Sequence, residues 1–422
     1  MSFSLRIFIF GLFLWLIDLY FYQAVSLVFR GSSETKRSIV FYTYWSFTLF
    51  SFLIFLTTLF VHISLWPKFI RVYVFAFVVM ALISKLIGTV FIALDDIIRL
   101  CRWVGSYLIR TFTATVTNEE GTDPNSISRL KFLNYIALGM AAIPFATLIY
   151  GMFKGAFDFR VRKERVVLSN LPDAFNGLKI VQISDIHSGS FISTKPLEEA
   201  VKIVMAQNAD VIFFTGDLVN DRATEVEPFM DILSRIKAPM GVFSTFGNHD
   251  YGDYTTWESR EAKEKNLHDL KMIHAQLGWK LMLNEYVALK KNDSEIGLIG
   301  VENWGGNLHF TKYGDMKKAS HGTEKYPVRL LLSHDPSHWN TQVIKEYKNI
   351  DLTFSGHTHG FQFGIEIPGF KWSPSQYVYK QWAGMYSEGN QYLYVNRGLG
   401  FLGYPGRVGI MPEITVVELY NS

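Results

Sequence analysis

The chain has 422 residues, with 41 Lys and Arg against 38 Asp and Glu and a formal net charge of +3. That length allows two domains, and so small a net charge, with no basic stripe interleaved with aromatics in the C-terminal region, excludes nucleic acid as the expected partner. A single cysteine, Cys101, excludes an intramolecular disulfide and a cysteine-built zinc cage.

Positive charges gather around long apolar segments, the pattern of a membrane protein. Ile7 to Phe29 is flanked by Arg6 and Arg30 and interrupted only by Asp18 and Gln23. Ser38 to Trp66 carries no charge, Ile70 to Leu94 is broken by Arg71 and Lys85, and Phe132 to Phe153 is uncharged. Each reaches the roughly 20 residues needed to cross a hydrocarbon core about 30 Å thick. Four membrane spans are expected, about 7–29, 38–66, 70–94 and 132–153, in a domain of residues 1–155 followed by one of residues 156–422. Buried helices of a soluble bundle would show polar faces at helical spacing, which these mostly lack. Ala24-Val25-Ser26 resembles a signal cleavage site, yet the first run exceeds the usual apolar region of about 7–15 residues, so it reads as an uncleaved span.

A lone charge within hydrocarbon is costly. Asp18 and Lys85 either face each other inside the bundle or mark a polar path; the preferred reading is a snorkelled Lys85 with a neutral or paired Asp18. Asp95 to Arg110 mixes Ile, Leu and Trp with Asp96, Arg99 and Arg102, and reads as a helix lying on the membrane surface. Asn118 to Ser128, with Gly121 and Asp123-Pro124, reads as a loop. Four spans put both termini on one side. Counts of Lys and Arg tie between the sides, and the dense cluster Arg160 to Arg165 favours a cytoplasmic C-terminal domain, in a bacterial inner membrane.

From Val166 onward apolar runs alternate with helical patterns, an α/β organisation. Lys179 to Ser184, Val211 to Thr215, Val242 to Phe246, Val328 to Leu332 and Ile414 to Tyr420 read as strands. Pro196 to Gln207, behind Thr194 as N-cap, Glu258 to Gln276 and Ser337 to Lys348 read as helices. The first four of those strands run into Asp185-Ile186-His187, Gly216-Asp217, Gly247-Asn248-His249-Asp250 and Ser333-His334; a fifth cluster is Gly356-His357-Thr358-His359. Oxygen and nitrogen ligands at the ends of buried strands can converge at one sheet edge. Mixed imidazole and oxygen donors suit Mn, Fe or Zn better than calcium, and a carboxylate can bridge two cations through its separate oxygens.

In order, these five clusters resemble the motifs of calcineurin-like metallophosphoesterases, over about Lys179 to Tyr420. The likeness extends to the membrane-tethered bacterial branch, including Asn396-Arg397-Gly398-Leu399-Gly400. The resemblance implies a four-layer α/β/β/α sandwich holding two divalent metal ions, Mn foremost. One ion falls to Asp185, His187, Asp217 and His359, the other to Asn248, His334, His357 and the shared Asp217. Two such ions lower the pKa of a bridging water and clamp phosphoryl oxygens, so that hydroxide attacks phosphorus in line. The ions, two carboxylates and hydroxide leave a formal surplus of about one positive charge to attract phosphate.

His249 is not needed as a ligand and is the candidate general acid. In the family an acid three residues after the bridging aspartate commonly orients this histidine; here Asn220 stands there, beside Asp221, which leaves the orienting group open. Asp250 is expected to fix its loop. Gly360-Phe361-Gln362 departs from a frequent Gly-Gly-Gln, so Phe361 either lines an apolar substrate groove or packs in the core. Arg397 and Arg407 are candidate phosphate clamps, with surface solvation as the alternative. His268, His274, His309, His321 and His338 match no motif and read as ordinary residues.

The expected activity is hydrolysis of a phosphodiester or pyrophosphate, on a lipid-linked or amphiphilic substrate. Soluble nucleotide or glycerophosphodiester substrates remain open. A catalytically silent sensor or scaffold would be expected to lack a ligand or proton donor, and none is missing. A transporter built around Asp18 and Lys85 would call for more than four spans without repeats.

Overall fold

The computed structural model describes residues 3–58, 60–61, 65–112, 129–306 and 310–422. The expected loop at Asn118 to Ser128, and His309, lie outside them. The chain divides into two compact units, Met1–Ile149 and Tyr150–Ser422.

The first unit consists of helices α1 (Phe3–Val28), α2 (Glu34–Thr57), α3 (Phe75–Phe112) and α4 (Arg129–Phe153), whose last turn passes into the second unit. All four are long and apolar enough to cross a membrane. Ser33 caps α2, its side chain accepting from the Lys36 backbone N–H, with Glu34 in the first turn where the helix dipole favours an anion. Phe13, Trp15 and Leu16 on α1 and Ile39, Tyr42 and Leu49 on α2 face outward, a surface suited to lipid rather than water. Between helices small residues admit close approach: Ala24, Ala137 and Ala141 pack with Phe21 and Ile92.

Two expectations are corrected here. Lys85 does not snorkel; its ammonium meets the Asp18 carboxylate, which also accepts from the Tyr44 hydroxyl at 3.0 Å. Residues 95–110 form no separate surface helix but continue α3, whose 38 residues span about 57 Å at 1.5 Å per residue. No Gly or Pro interrupts Leu94-Asp95-Asp96, and Arg99 pairs with Asp95 (3.3 Å) and Asp96 on one helical face, which keeps the helix running.

In the second unit two six-stranded mixed sheets lie face to face. The first has β1 (Arg160–Val167), β2 (Leu178–Ile183), β3 (Val211–Phe214), β4 (Val242–Ser244), β5 (Trp279–Leu281) and β14 (Glu413–Tyr420), in the order β1-β14-β2-β3-β4-β5. The second has β6 (Glu285–Lys291), β7 (Ser294–Gly300), β8 (Arg329–Leu332), β9 (Leu352–Ser355), β12 (Gly384–Glu388) and β13 (Gln391–Val395), in the order β12-β13-β9-β8-β7-β6. A two-stranded hairpin, β10 (Ile365–Ile367) with β11 (Phe370–Trp372), stands apart.

Central strands buried on both faces are apolar throughout, as Val211–Phe214 and Leu330–Leu332 are. Ile180, Phe213, Leu298, Leu332 and Phe354 form the core between the sheets, and Gln182 crosses it to donate to the Ser355 carbonyl at 2.8 Å. Trp339 and Val343 cover the outer face of the second sheet. Helix α5 (Lys195–Ala206) buries Leu197, Ala200, Val201 and Val204, and α6 (Arg260–Gln276) packs its His274 ring against Phe214 and Trp279 of the first sheet. The result is a four-layer α/β/β/α sandwich. Parallel β2, β3 and β4 of one sheet and β8 and β9 of the other end just before the five ligand clusters.

Candidate metal centre

Chain turns at these strand ends carry the donors in unusual backbone conformations. Asp185, His187, Asp217, His357 and His359 all have positive φ, between 49° and 72°. Non-glycine residues rarely adopt that region, and such strain persists only where the surrounding structure over-determines it. Two glycines make room for the carboxylates: a Cβ on Gly247 would lie 2.2 Å from Asp217 Oδ1, and one on Gly356 would lie 2.2 Å from Asp185 Oδ2.

Two clusters emerge, Asp185 with His187 and His359, and Asp217 with His334 and His357. In the first, His187 Nε2 lies 3.1 Å from His359 Nε2 and 3.6 Å from Asp217 Oδ2, and His359 Nε2 lies 3.4 Å from Asp185 Oδ1. In the second, His334 Nε2 lies 3.1 Å from Asp217 Oδ2 and 3.2 Å from both Asn248 Oδ1 and His357 Nδ1. Bonds of about 2.0–2.2 Å from one ion imply ligand-to-ligand edges of about 3.0–3.6 Å. The spacings therefore fit two cations, with Asp217 Oδ2 facing both groups.

Surrounding hydrogen bonds orient the donors. His334 Nδ1 donates to the Thr215 carbonyl at 2.7 Å, which leaves Nε2 with its lone pair toward the centre. Asn248 Nδ2 donates to the Tyr254 hydroxyl at 3.0 Å, turning Oδ1 inward, and His357 Nε2 meets the Tyr379 hydroxyl at 2.6 Å. Burial pushes His187 down to about 3 and His357 to about 4, so both rings are neutral, the ligand form. Burial also opposes charge on His334, yet the Asp217 carboxylate outweighs it and holds the ring's pKa up at about 10. A proton on His334 is thus drawn to the position where the donor set calls for a metal cation.

Asp250 anchors the frame. Its buried carboxylate accepts from the backbone N–H groups of Asp217, Leu218 and Gly247, each at 2.8 Å. His249 stands beside the ligands, its ring centroid 5.0 Å from that of His187 and its Nδ1 2.7 Å from the Asn220 carbonyl oxygen. The orienting group is therefore main chain; the Asn220 side chain turns instead to Ser190 Oγ at 3.2 Å. Asp221 is not among the residues lining the pocket, and its carbonyl accepts from Asn266 at 3.4 Å.

A pocket of about 420 Å³ opens over the centre, lined by His187, Asp217, Asn248, His249, His357 and His359 and walled by Phe310, Phe361, Tyr379, Leu402 and Tyr404. Phe361 is half exposed at its rim rather than in the core. Neither arginine reaches into it. Arg397 is buried and paired with Glu413 and with Glu366 (2.7 Å). Arg407 is fully buried, its guanidinium on the carbonyls of Gly398 (3.1 Å) and Gly400 and 3.1 Å from His359 Nδ1. The structure thus places both outside the pocket lining expected of a phosphate clamp, Arg397 in ion pairs and Arg407 on main-chain carbonyls, with Arg397 Nε and Arg407 Nη1 buried without a hydrogen-bond partner. Tyr254, Tyr379 and Phe310 carry no motif and were findable only by proximity. His268 and His321 are exposed; His274 and His338 are buried on Ser244 and Ser333 hydroxyls.

Comparison with known proteins agrees with this geometry. Residues 5–156 match the family model for the transmembrane domain of calcineurin-like phosphoesterases, and residues 178–361 that for the calcineurin-like phosphoesterase domain. A transmembrane protein with metallophosphoesterase domain from Danio rerio is 28% identical over 65% of this chain and 60% of its own length. The match thus spans about three-fifths of that relative. Metallophosphoesterase YkuE of Bacillus subtilis is 31% identical over 61% of this chain and 85% of its own length. A UDP-2,3-diacylglucosamine pyrophosphatase of Chlamydia muridarum is 25% identical over 54% of this chain and 81% of its own length. The chain is an integral, multi-pass membrane protein and belongs to the calcineurin-like phosphoesterases.

Proposed function

We propose that this protein is a membrane-anchored, two-metal phosphoesterase that cleaves a phosphodiester or pyrophosphate in a lipid-linked or amphiphilic substrate. The observation that carries the reading is the convergence of Asp185, His187, Asp217, Asn248, His334, His357 and His359 in two groups that face one Asp217 oxygen. When bound, two divalent ions would supply an activated water and a Lewis acid for the phosphoryl oxygens. Mn²⁺ heads the candidates, with Fe and Zn compatible with the same donors.

The chain's own residues would do the rest. His249 donates from Nδ1 to the Asn220 carbonyl, so in the doubly protonated ring Nε2 carries the proton that would pass to the departing oxygen, leaving a neutral imidazole. Asp250 keeps Asp217 and Gly247 in register. Phe310, Phe361 and Leu402 give the pocket an apolar wall, which suits a substrate with a greasy portion beside its phosphate. The chlamydial relative, named for a diacylated nucleotide-sugar pyrophosphate, supports that class.

Hydrolysis of an aryl phosphodiester by the detergent-purified protein with added Mn²⁺ tests the reading. Equal rates for the wild type and Asp217→Asn would overturn it. A reporter fused to the C-terminus tests the cytoplasmic placement of the catalytic domain.

A further inference from the structure

The β10–β11 hairpin has two unlike faces. Its register pairs Ile365 with Trp372, Glu366 with Lys371 and Ile367 with Phe370, so Ile365, Ile367, Phe370 and Trp372 share one face. Glu366 points the other way, accepting from Arg162 at 2.5 Å and Arg397 at 2.7 Å. The ionic face is thereby fastened to the domain, and the apolar face is left outward: Ile367 is 59% exposed and Phe370 53%. Phe363, Tyr377 and Val378 extend this exposed surface. An apolar patch on an isolated two-stranded ribbon is an aggregation hazard in water, unless something apolar covers it.

Neighbouring contacts identify the cover. Phe363 bridges to Val408, and the Gly364 N–H donates to the Val408 carbonyl at 2.9 Å. The adjoining Arg407 N–H donates to the carbonyl of Gly151 at 3.1 Å. Gly151 lies in the last turn of α4, which ends at Phe153, close to the end of a candidate membrane span that runs on to Phe157. Hairpin, residues 404–409 and helix end are therefore successive neighbours within the second unit. The hairpin is thereby linked, through Val408 and Arg407, to the last turn of α4. On its other side Phe363 adjoins Phe361 and Gln362 at the rim of the metal-centre pocket.

We infer that the β10–β11 hairpin inserts its apolar face into the bilayer interface beside the end of α4 and seats the mouth of the metal-centre pocket at the lipid surface. Trp372 and Tyr377 supply the amphipathic rings favoured at that depth. This inference rests on the hairpin and not on the substrate, so it holds whichever phosphoester is cleaved.

The test uses the full chain, with Cys101→Ser, in vesicles of phosphatidylethanolamine and phosphatidylglycerol containing lipid with a nitroxide near the carbonyl end of its acyl chain. A polarity-sensitive fluorophore is attached at Ile367→Cys, with Phe370→Cys as a second position should the first variant fold poorly. The reference is Lys202→Cys on α5, whose side chain is 73% exposed. Blue-shifted emission and several-fold stronger nitroxide quenching at the hairpin than at residue 202 is the expected result. Equal weak quenching at both, with iodide reaching both, would overturn the inference. So would energy transfer between hairpin labels of two chains that is unaffected by nitroxide lipid, because the cover would then be a second copy. Neither outcome bears on hydrolysis of a soluble phosphodiester, so the proposed activity stands or falls separately.

Discussion

His249 Nδ1 lies 2.7 Å from the main-chain carbonyl oxygen of Asn220, so the backbone holds the ring proposed as proton donor, where the sequence left the orienting group open between Asn220 and Asp221. The Asn220 amide meets Ser190 Oγ at 3.2 Å and also acts on the His187 ring, rather than on His249. Asn220→Ala should therefore lower kcat by no more than a few-fold. His249→Ala removes the donor itself and should cost about 10²–10⁴ in kcat. That loss should be much larger for an alkyl phosphodiester than for a nitrophenyl one, whose leaving group needs little protonation. Equal losses on the two substrates would refute general-acid catalysis by His249.

Asp217 faces both ligand groups, with Oδ2 3.6 Å from His187 Nε2 and 3.1 Å from His334 Nε2. Its loss should empty both positions, whereas Asp185→Asn should weaken chiefly the group with His187 and His359. Metal analysis after gel filtration should find the wild type with two ions per chain and Asp217→Asn with almost none. A ligand at 100 times its Kd stabilises the folded state by about 2.7 kcal/mol. Added Mn²⁺ should accordingly raise the Tm of the chelator-treated wild type and leave that of Asp217→Asn unchanged. An equal Mn²⁺ shift in both would remove Asp217 from the centre.

Why these ligands are legible in sequence is physical. Each sits just past a buried strand, and an all-apolar run such as Val211–Phe214 marks both the strand and its end. The long helices are legible for the same reason, but their ends are not. Asp95 and Asp96 resemble a membrane boundary in composition, while their pairing with Arg99 lets α3 continue. Main-chain groups leave no trace in side-chain identity, so the carbonyls of Asn220 and Thr215 are invisible until the fold exists. Arg397 and Arg407 mislead because an arginine near a phosphate site and one tying carbonyls together look alike in sequence. The β10–β11 hairpin escapes notice because three residues per strand are too few for an alternation to stand out.

Arg407 separates those two roles experimentally. Its guanidinium is fully buried on the Gly398 and Gly400 carbonyls and beside His359. Hydrogen bonds to a charged group are worth about 1.5–3 kcal/mol each, and orphaned buried acceptors add to the loss. Arg407→Met should destabilise the domain by roughly 2–4 kcal/mol. Arg407→Lys should recover little of this, since one ammonium cannot match the guanidinium fork. Thermal melts of the full chain in detergent read the effect. A raised KM at unchanged Tm would instead return Arg407 to phosphate binding.

His274 gives the domain a pH dependence remote from the metal ligands. The ring is fully buried among Phe214, Phe246 and Trp279, its Nδ1 2.9 Å from Ser244 Oγ, and burial pushes it down to about 3. An unfolded chain takes up this proton near pH 6.5. Between those values the unfolded state binds the proton and the folded state does not, so stability falls as pH falls. The contribution is intact above about pH 6.5 and declines steadily below it. His274→Gln cannot titrate and keeps a group able to meet Ser244. It should start less stable at pH 8 yet lose distinctly less Tm than the wild type between pH 7 and pH 5. Parallel Tm curves for the two proteins across that interval would show that His274 is not the group responsible.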